Sequence, residues 1–342
     1  MAATLHDVAR RAGVSFKTVS NVINDYPHVR DATRKKVIDA IRELDYRPNI
    51  AARQLRSGRS GVIGVAVPEL GLPYFAELTA EVIEAAERRD LIVVIEQTNR
   101  SRQREIEVLT STRRQMTDGL IFSPLELGTE DAELLQTDSP VVLLGERIFT
   151  DAVDHVTMQN VEAARAATEY LIGLGRTRIA AVGLHPGEVI GSAGLRFRGY
   201  TEALAAAGIA LDPSLLVPAG GWHRRQGAEG ATALLKSGAD FDAVFAFNDT
   251  LALGAVHALQ QAGRRVPEDV AVVGFDDLDD SQYGMPTLTT VDAGRREIAE
   301  LAVDALVNRI ENPSSPIRHI EVGFSIVERE SAAARPESPK TR

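Results

Sequence analysis

Thr4-Leu5-His6-Asp7-Val8-Ala9-Arg10-Arg11-Ala12-Gly13-Val14-Ser15-Phe16-Lys17-Thr18-Val19-Ser20-Asn21-Val22-Ile23-Asn24 reads as two short helices joined by a tight turn. Thr4 followed by Asp7 makes a capping-box-like start, and Leu5, Val8, Ala9 and Ala12 recur at i, i+3, i+4 and i+7 until Gly13 stops the helix. Ser15 caps a second helix after a turn of two or three residues. A connection that short forces a steep crossing, the geometry of a helix-turn-helix. On the second helix Val19, Val22 and Ile23 share one face, and Phe16, Lys17, Ser20, Asn21 and Asn24 share the opposite one. Lysine, serine and asparagine side chains suit base edges and phosphates, and an aromatic near the helix start suits a thymine methyl or the sugar backbone. A merely solvated helix face is the competing reading.

Working outward, a third helix is expected from about Asp31 to Asp45, with Val37, Ile41 and Leu44 as its apolar stripe and Arg34, Lys35 and Lys36 as a basic cluster. Pro48 ends it, because proline cannot continue the ladder and biases the preceding residue away from helix. In the stretch that follows, Asn49 to Gly58, Ala51, Ala52 and Leu55 fall on one helical stripe, with Arg53 and Arg56 off it. About ten residues form no stable helix alone. Arginines flanking an alanine-leucine stripe point to nucleic acid, with Leu55 as a minor-groove wedge; an ordinary linker is the alternative.

The 342 residues carry 38 Lys/Arg against 48 Asp/Glu, a net charge of -10 that argues against nucleic acid only if it is evenly spread. Residues 1–60 hold 12 Lys/Arg and 6 Asp/Glu, leaving 26 against 42 for the remainder, so a basic head sits on an acidic body. An acidic body limits non-specific adhesion to DNA. With no cysteine and no HExxH-like histidine pair, neither a disulfide nor a metal site is expected. The sequence shows neither a membrane-length apolar run nor a signal-peptide pattern, and the expected location is cytoplasmic.

Beyond Gly61 the pattern changes to apolar runs alternating with amphipathic helices. Strands are expected at Val62–Val67, Leu91–Glu96, Gly119–Ser123, Pro140–Leu144, Ile179–Gly183, Ala243–Phe247 and Val270–Phe275, with helices between them. Near-continuous Val/Ile/Leu runs suit a parallel sheet covered on both faces, and two doubly wound halves follow. Ligands of such sheets bind outside the carboxyl ends of the strands, which places Asn248-Asp249, Asp276-Asp277 and the helix start bearing Arg196 on one rim. Arginine only donates and ionised aspartate only accepts, each in parallel pairs, which suits vicinal hydroxyls of a sugar. Trp222, after Gly220-Gly221, can lie against a pyranose ring or belong to the core. Asp249 and Asp277 also fit as caps, and Glu146-Arg147 also fits as a surface ion pair. Catalysis is the alternative class, but no GxSxG elbow, GxxxxGK[ST] loop or cysteine nucleophile is present, and a dinucleotide site in Gly183–Gly194 is weakly supported. A sugar-binding protein of the same fold has no use for the head.

Several spaced motifs resemble the lactose-repressor (LacI/GalR) family: Thr4-Leu5-His6-Asp7-Val8-Ala9, Ala12-Gly13-Val14-Ser15, Thr18-Val19-Ser20, Val22-Ile23-Asn24, Thr33-Arg34, Tyr46-Arg47-Pro48-Asn49 and Ala51-Ala52 to Leu55. The resemblance implies an α/β chain with a helix-turn-helix head at 1–47, a hinge helix and linker at 48–60, and a ligand-binding and dimerisation body of periplasmic-binding-protein type I at 61–331. Its first subdomain would be 61–160 with 292–322, its second 161–291 with 323–331, with crossovers near 160, 291 and 322 and a flexible tail at 332–342. By the same resemblance Phe16, Lys17 and Asn21 read operator bases, and Ser15, Thr18, Ser20, Asn24 and His28 grip phosphates. Ala52 and Leu55 open a minor-groove step, and Leu5 and Asn49 join the DNA contacts. Phe75, Arg147, Arg196, Trp222, Asn248 and Asp276 are implied at the effector. The implied protein is a homodimeric repressor of a palindromic operator, without cofactor or metal. Its effector is a monosaccharide or small oligosaccharide first, with a purine, sugar phosphate or other small polar metabolite behind it.

Overall fold

The computed structural model describes residues 3–23, 26–46, 59–137 and 139–332. Asn24, the expected hinge helix with Asn49, Ala52 and Leu55, and residues 333–342 of the tail lie outside the described residues. The chain forms two compact units, 1–60 and 61–342.

In the first unit, α1 (Leu5–Ala12), α2 (Phe16–Ile23) and α3 (Asp31–Glu43) pack around Val8, Val19, Val22, Val37, Ala40 and Tyr46. The capping box is formed: Thr4 and Asp7 bond each other's backbone N–H, and Gly13 ends α1 at φ 66°, the left-handed region that a β-carbon disfavours. The Ser15 hydroxyl accepts the Thr18 N–H at 3.1 Å and lies 2.8 Å from the Thr18 hydroxyl, which starts α2 one short turn later.

The second unit runs β1 (Val62–Val67), α4 (Pro73–Glu87), β2 (Ile92–Gln97), α5 (Arg102–Thr110), β3 (Leu120–Phe122), β4 (Val141–Leu144), β5 (Asp154–Met158), α6 (Asn160–Gly173) and β6 (Ile179–Leu184). It continues through α7 (Ser192–Ala206), β7 (Leu216–Pro218), α8 (Arg224–Ser237), β8 (Ala243–Ala246), α9 (Asp249–Gln261), β9 (Ala271–Val273) and β10 (Thr290–Asp292). It ends with α10 (Arg295–Glu311), β11 (His319–Val322) and β12 (Ser325–Val327). One sheet is six-stranded, in the order β11-β5-β4-β3-β1-β2, and another is four-stranded, β7-β6-β8-β9; every pairing within them is parallel. β10 and β12 form a separate antiparallel ribbon. The chain passes from the first sheet to the second between Met158 and Asn160, returns after β10, since α10 packs on α4, and crosses again between β11 and β12. The two halves are therefore tied by three adjacent strands of chain, a geometry that allows them to tilt about the crossings.

Five strands escaped the sequence reading, β5, β7, β10, β11 and β12. β5 is the instructive one: Asp154-His155-Val156-Thr157-Met158 looks polar, yet Asp154 and His155 are buried. Arg309 holds the Asp154 carboxylate through Nε at 3.0 Å and Nη2 at 3.2 Å, and the His155 ring Nε2 meets the Gly145 carbonyl at 2.5 Å. A paired buried charge is tolerated where a lone one is not. The expectation of full cover over Leu91–Glu96 also needs correction. β2 is an edge strand, and Ile92 and Val94 are 57% and 46% exposed.

Candidate ligand cavity and reading helix

Strand ends of both sheets face one another across a cavity of about 500 Å³. Phe75, Arg147, Arg196, Trp222, Asn248 and Asp276 all line it. They come from α4, the loop after β4, α7, the loop after β7, and the ends of β8 and β9.

Arg196 is the focus of the arrangement. Gly199 lets α7 lie close against α6, because a β-carbon there would stand 2.2 Å from the Val161 carbonyl, and the Tyr200 hydroxyl donates to the Ile179 carbonyl at 2.7 Å. That contact aims Arg196 inward, where it is 3% exposed. Its Nε donates to Asn160 Oδ1 at 2.8 Å, its Nη1 donates to the Phe247 carbonyl, and its Nη2 meets Met158 Sδ at 3.5 Å. The guanidinium lies over the Phe275 ring at 3.5 Å from its centre. Burial lowers its pKa, opposed by the carboxylates of Asp276 and Glu146, and an arginine stays charged regardless. The side chain thus touches both sides of the first crossing, with its outer edge left for a ligand.

Asp276 Oδ1 stands 3.7 Å from Arg196 Nη1, too long for a hydrogen bond and close enough for an ion pair. Burial pushes its carboxyl up to about 8, with Arg196 pulling the other way. Its backbone has φ 117°, held by Arg295 Nη1 on its carbonyl at 2.9 Å. A carboxyl in this state gives up its proton when two donors arrive, which a pair of hydroxyl groups supplies.

Asn248 lines the cavity, but its polar atoms are committed elsewhere. Its Oδ1 caps α9 by accepting the Leu251 N–H at 2.8 Å, and its amide donates to the Trp222 carbonyl at 3.1 Å and to Thr250 Oγ1 at 2.6 Å. Its role in the geometry is to hold the Trp222 loop. The indole Nε1 donates to the Gly183 carbonyl at 3.0 Å, and Gly183 admits Phe247 and Leu251 so closely, at φ 121°, that a β-carbon would stand 2.8 Å from each. The indole is half-buried, packed edge-on to Phe247 and beside His185, and it lines the cavity. Phe75 lines the cavity from α4, with Tyr74 edge-on to it and also lining the cavity.

Asp249 and Asp277 are structural. The Asp249 carboxylate accepts the Leu278 N–H at 2.9 Å and the Ser281 hydroxyl at 2.7 Å, and Asp277 pairs with Arg329 at 2.7 Å. Glu146 and Arg147 both line the cavity; neither sits on an open surface. The Glu146 carboxylate accepts hydroxyls from Thr157 at 3.0 Å and Ser192 at 2.8 Å, one from each half, and Arg147 reaches Glu188 at 3.8 Å.

Sequence reasoning missed Tyr74, Thr157, Ser192, His185 and Glu188 as lining residues, and it left Glu146 open between an acidic-basic pair at the cleft and a surface ion pair. Glu146 follows a strand end and Tyr74 adjoins Phe75, so both carried a signal; Thr157 lay in the unread β5. Burial, with the carboxylates of Asp276 and Glu146 nearby, raises the Tyr74 pKa and keeps its phenol neutral.

In the head, Val19 and Val22 of α2 are buried, Lys17 is exposed, and Ser20 and Asn21 are half-buried. Phe16 is half-buried and stacks on His6 with ring centres 4.9 Å apart. Leu5 packs on the head core, and Ser15 and Thr18 are engaged in the α2 cap. His28 is exposed, edge-on to Tyr26. Lys35 and Lys36 are exposed on α3, while Arg34 donates to the Tyr26 carbonyl at 3.0 Å.

Comparison with known proteins agrees with this division. Residues 4–49 match the family described as bacterial regulatory proteins, lacI family, and residues 60–328 match periplasmic binding proteins and the sugar binding domain of the LacI family. The ribose operon repressor of Escherichia coli K12 is 33% identical over 333 residues, 96% of this chain and 100% of that protein. A transcriptional regulator CelR–cellobiose complex is 32% identical with a TM-score of 0.71, covering 96% of this chain and 99% of that one. The lac repressor dimer bound to operator and the anti-inducer ONPF is 30% identical with a TM-score of 0.83, covering 98% of this chain and 100% of that one.

Proposed function

The chain belongs to the LacI family of DNA-binding transcriptional regulators, and from that premise we propose that it is a homodimeric repressor whose operator affinity is set by a sugar bound in the cavity of its body. The observation that carries the reading is the cavity itself: a buried guanidinium and a buried carboxyl, Arg196 and Asp276, 3.7 Å apart beside the half-buried Trp222 indole. A pyranose offers both complements, vicinal hydroxyls for the pair and an apolar face for the ring. Phe75 packs on the far side, and Arg147 serves from the lip. Asn248 acts through the loop it holds. The relatives solved with cellobiose and with ribose support a carbohydrate as the effector.

For DNA, Phe16, Lys17 and Asn21 on the outward side of α2 read bases, with Ser15, Thr18, Ser20 and His28 setting its position on phosphates. Asn24, Asn49, Ala52 and Leu55 complete the expected contacts. On this reading residues 1–47 read the operator, 48–60 relay, and 61–331 bind ligand and dimerise. A second copy of the chain has a place to dock, because Ile92, Val94 and Ile95 leave an exposed apolar strip on the edge strand β2. A cytoplasmic location goes with an operator partner. The expected effect is induction: ligand tilts the halves of each body, separates the hinges and releases DNA, and by linkage DNA weakens ligand binding equally.

The test pairs the full-length protein with a truncated form. Full-length protein is expected to enrich a palindrome from a random duplex library and to release it when the right sugar is added. Removal of residues 1–58 is expected to abolish DNA binding and leave sugar binding within about threefold, as for independent units. A full-length protein that enriches no sequence refutes the repressor reading, and a truncated one that no longer binds the sugar refutes the assignment of the cavity to the body alone.

A further inference from the structure

The indole that faces the cavity is carried by residues 218–223 of the second half, yet two side chains of the first half hold that loop from across the cleft. Arg100 Nη2 donates to the Gly220 carbonyl at 3.3 Å, and Glu69 Oε1 lies 3.3 Å from His223 Nε2. Gly220 and His223 flank Trp222, so the loop is gripped on both sides of the ring. Within its own half the same loop is anchored at the Trp222 carbonyl by Asn248 and Thr250 and at the indole nitrogen by Gly183.

The first-half side of this contact is a built feature. Asn99 and Arg100 both adopt left-handed backbone, at φ 55° and φ 53°, a conformation that residues with a β-carbon seldom adopt. Gln97 braces the two gripping loops together: its Oε1 accepts the Leu70 N–H at 2.9 Å and its amide donates to Asn99 Oδ1. Two consecutive strained residues at the end of an edge strand are retained where the surroundings hold them, and the strain turns Arg100 outward to the opposite half.

We propose that Arg100 and Glu69 are positioning residues that clasp the Trp222 loop from the opposite half and so set how the indole is presented to the cavity. The clasp spans the cleft, so each half contributes to the stacking wall and opening the halves removes one of the two sets of ties on the loop. Its consequence for effector residence rests on the reading of the cavity given above; the clasp itself does not.

Trp222 is the only tryptophan in the chain, which makes its fluorescence a direct probe that needs neither sugar nor DNA. Acrylamide quenching of the full-length, unliganded protein is compared for the parent, R100A, E69Q and the double variant, with R88A as a control that breaks the exposed Arg88–Glu300 pair elsewhere on the first half. The quenching constant is expected to rise at least about twofold in the double variant, less in each single one, and to stay at the parent value in R88A, as local rather than global loosening requires. R100K, which keeps a donor, is expected to recover part of the protection. Parent-like quenching in the double variant overturns the clasp, as does an equal rise in R88A. Failure of the repressor reading shows instead as absent operator binding by the parent, a separate measurement.

Discussion

Replacing Arg196 with methionine is expected to abolish the effector response while leaving operator binding in place. The substitution keeps an unbranched apolar stem but removes the guanidinium over Phe275 with its donors to Asn160 and Phe247, and it leaves Asp276 without a counter-charge when the sugar is bound. The ionised Asp276 of the sugar-bound cavity would then be a buried charge without its partner, a loss that costs about 3–5 kcal/mol, so effector affinity should fall by at least about a hundredfold. Sugar titration by Trp222 fluorescence reads the first part and operator titration with and without sugar reads the second. Asp276→Asn gives a check that spares the fold, since it keeps the shape and cannot ionise when the sugar binds; the two effects should be far from additive, as members of one pair. An Arg196→Met protein that still releases operator at parent sugar concentrations would sink the assignment of the pair.

Effector affinity is also expected to rise with pH and to level off near pH 8. The unliganded cavity holds Asp276 protonated at neutral pH because burial has pushed its carboxyl up to about 8. Hydroxyl donors from a neutral sugar favour the ionised form, so binding expels close to one proton, and affinity should gain roughly fiftyfold between about pH 6 and pH 8. Calorimetry in buffers of different protonation enthalpy measures that proton, and Asp276→Asn should flatten the profile. Proton uptake, or a flat profile in the parent, would show that Asp276 does not receive the sugar. The same shift carries a sign for stability. A folded-state pKa above the ordinary 3.8 means the folded chain binds more protons than the unfolded one, so the unliganded protein should lose stability as pH rises from about 4 towards about 8. Asp249, pushed up to about 7 by its burial, adds to the loss over the lower part of that window.

Much of this molecule is local and therefore readable. The capping box at Thr4 and Asp7, the stop at Gly13 and the Ser15 start of α2 are interactions between residues three or four apart, and the chain needs nothing distant to form them. The apolar runs that became β1, β4, β6 and β8 declare themselves because a strand covered on both faces must be apolar on both. Arg196 and Asp276 stood out because they sit at element ends where a doubly wound sheet leaves polar groups facing a ligand.

What sequence could not reach is pairing across distance. The polar β5 is a strand only because Arg309, some 150 positions later in the chain, neutralises Asp154. The apolar β2 became an exposed edge because sheet order, not composition, decides which strand is last. Asn248 has the residue type of a sugar ligand, but the fold spends its three bonds on α9 and the Trp222 loop. Sequence by itself determined the helix-turn-helix head, the two wound sheets and the chemistry of the cavity rim, because period, caps and strand ends are short-range properties. Tertiary structure alone decided that Glu146 takes a hydroxyl from each half and that Arg100 and Glu69 grip the loop of Trp222. Those contacts exist only where two separately built halves meet, and no local pattern encodes which residues will face each other there.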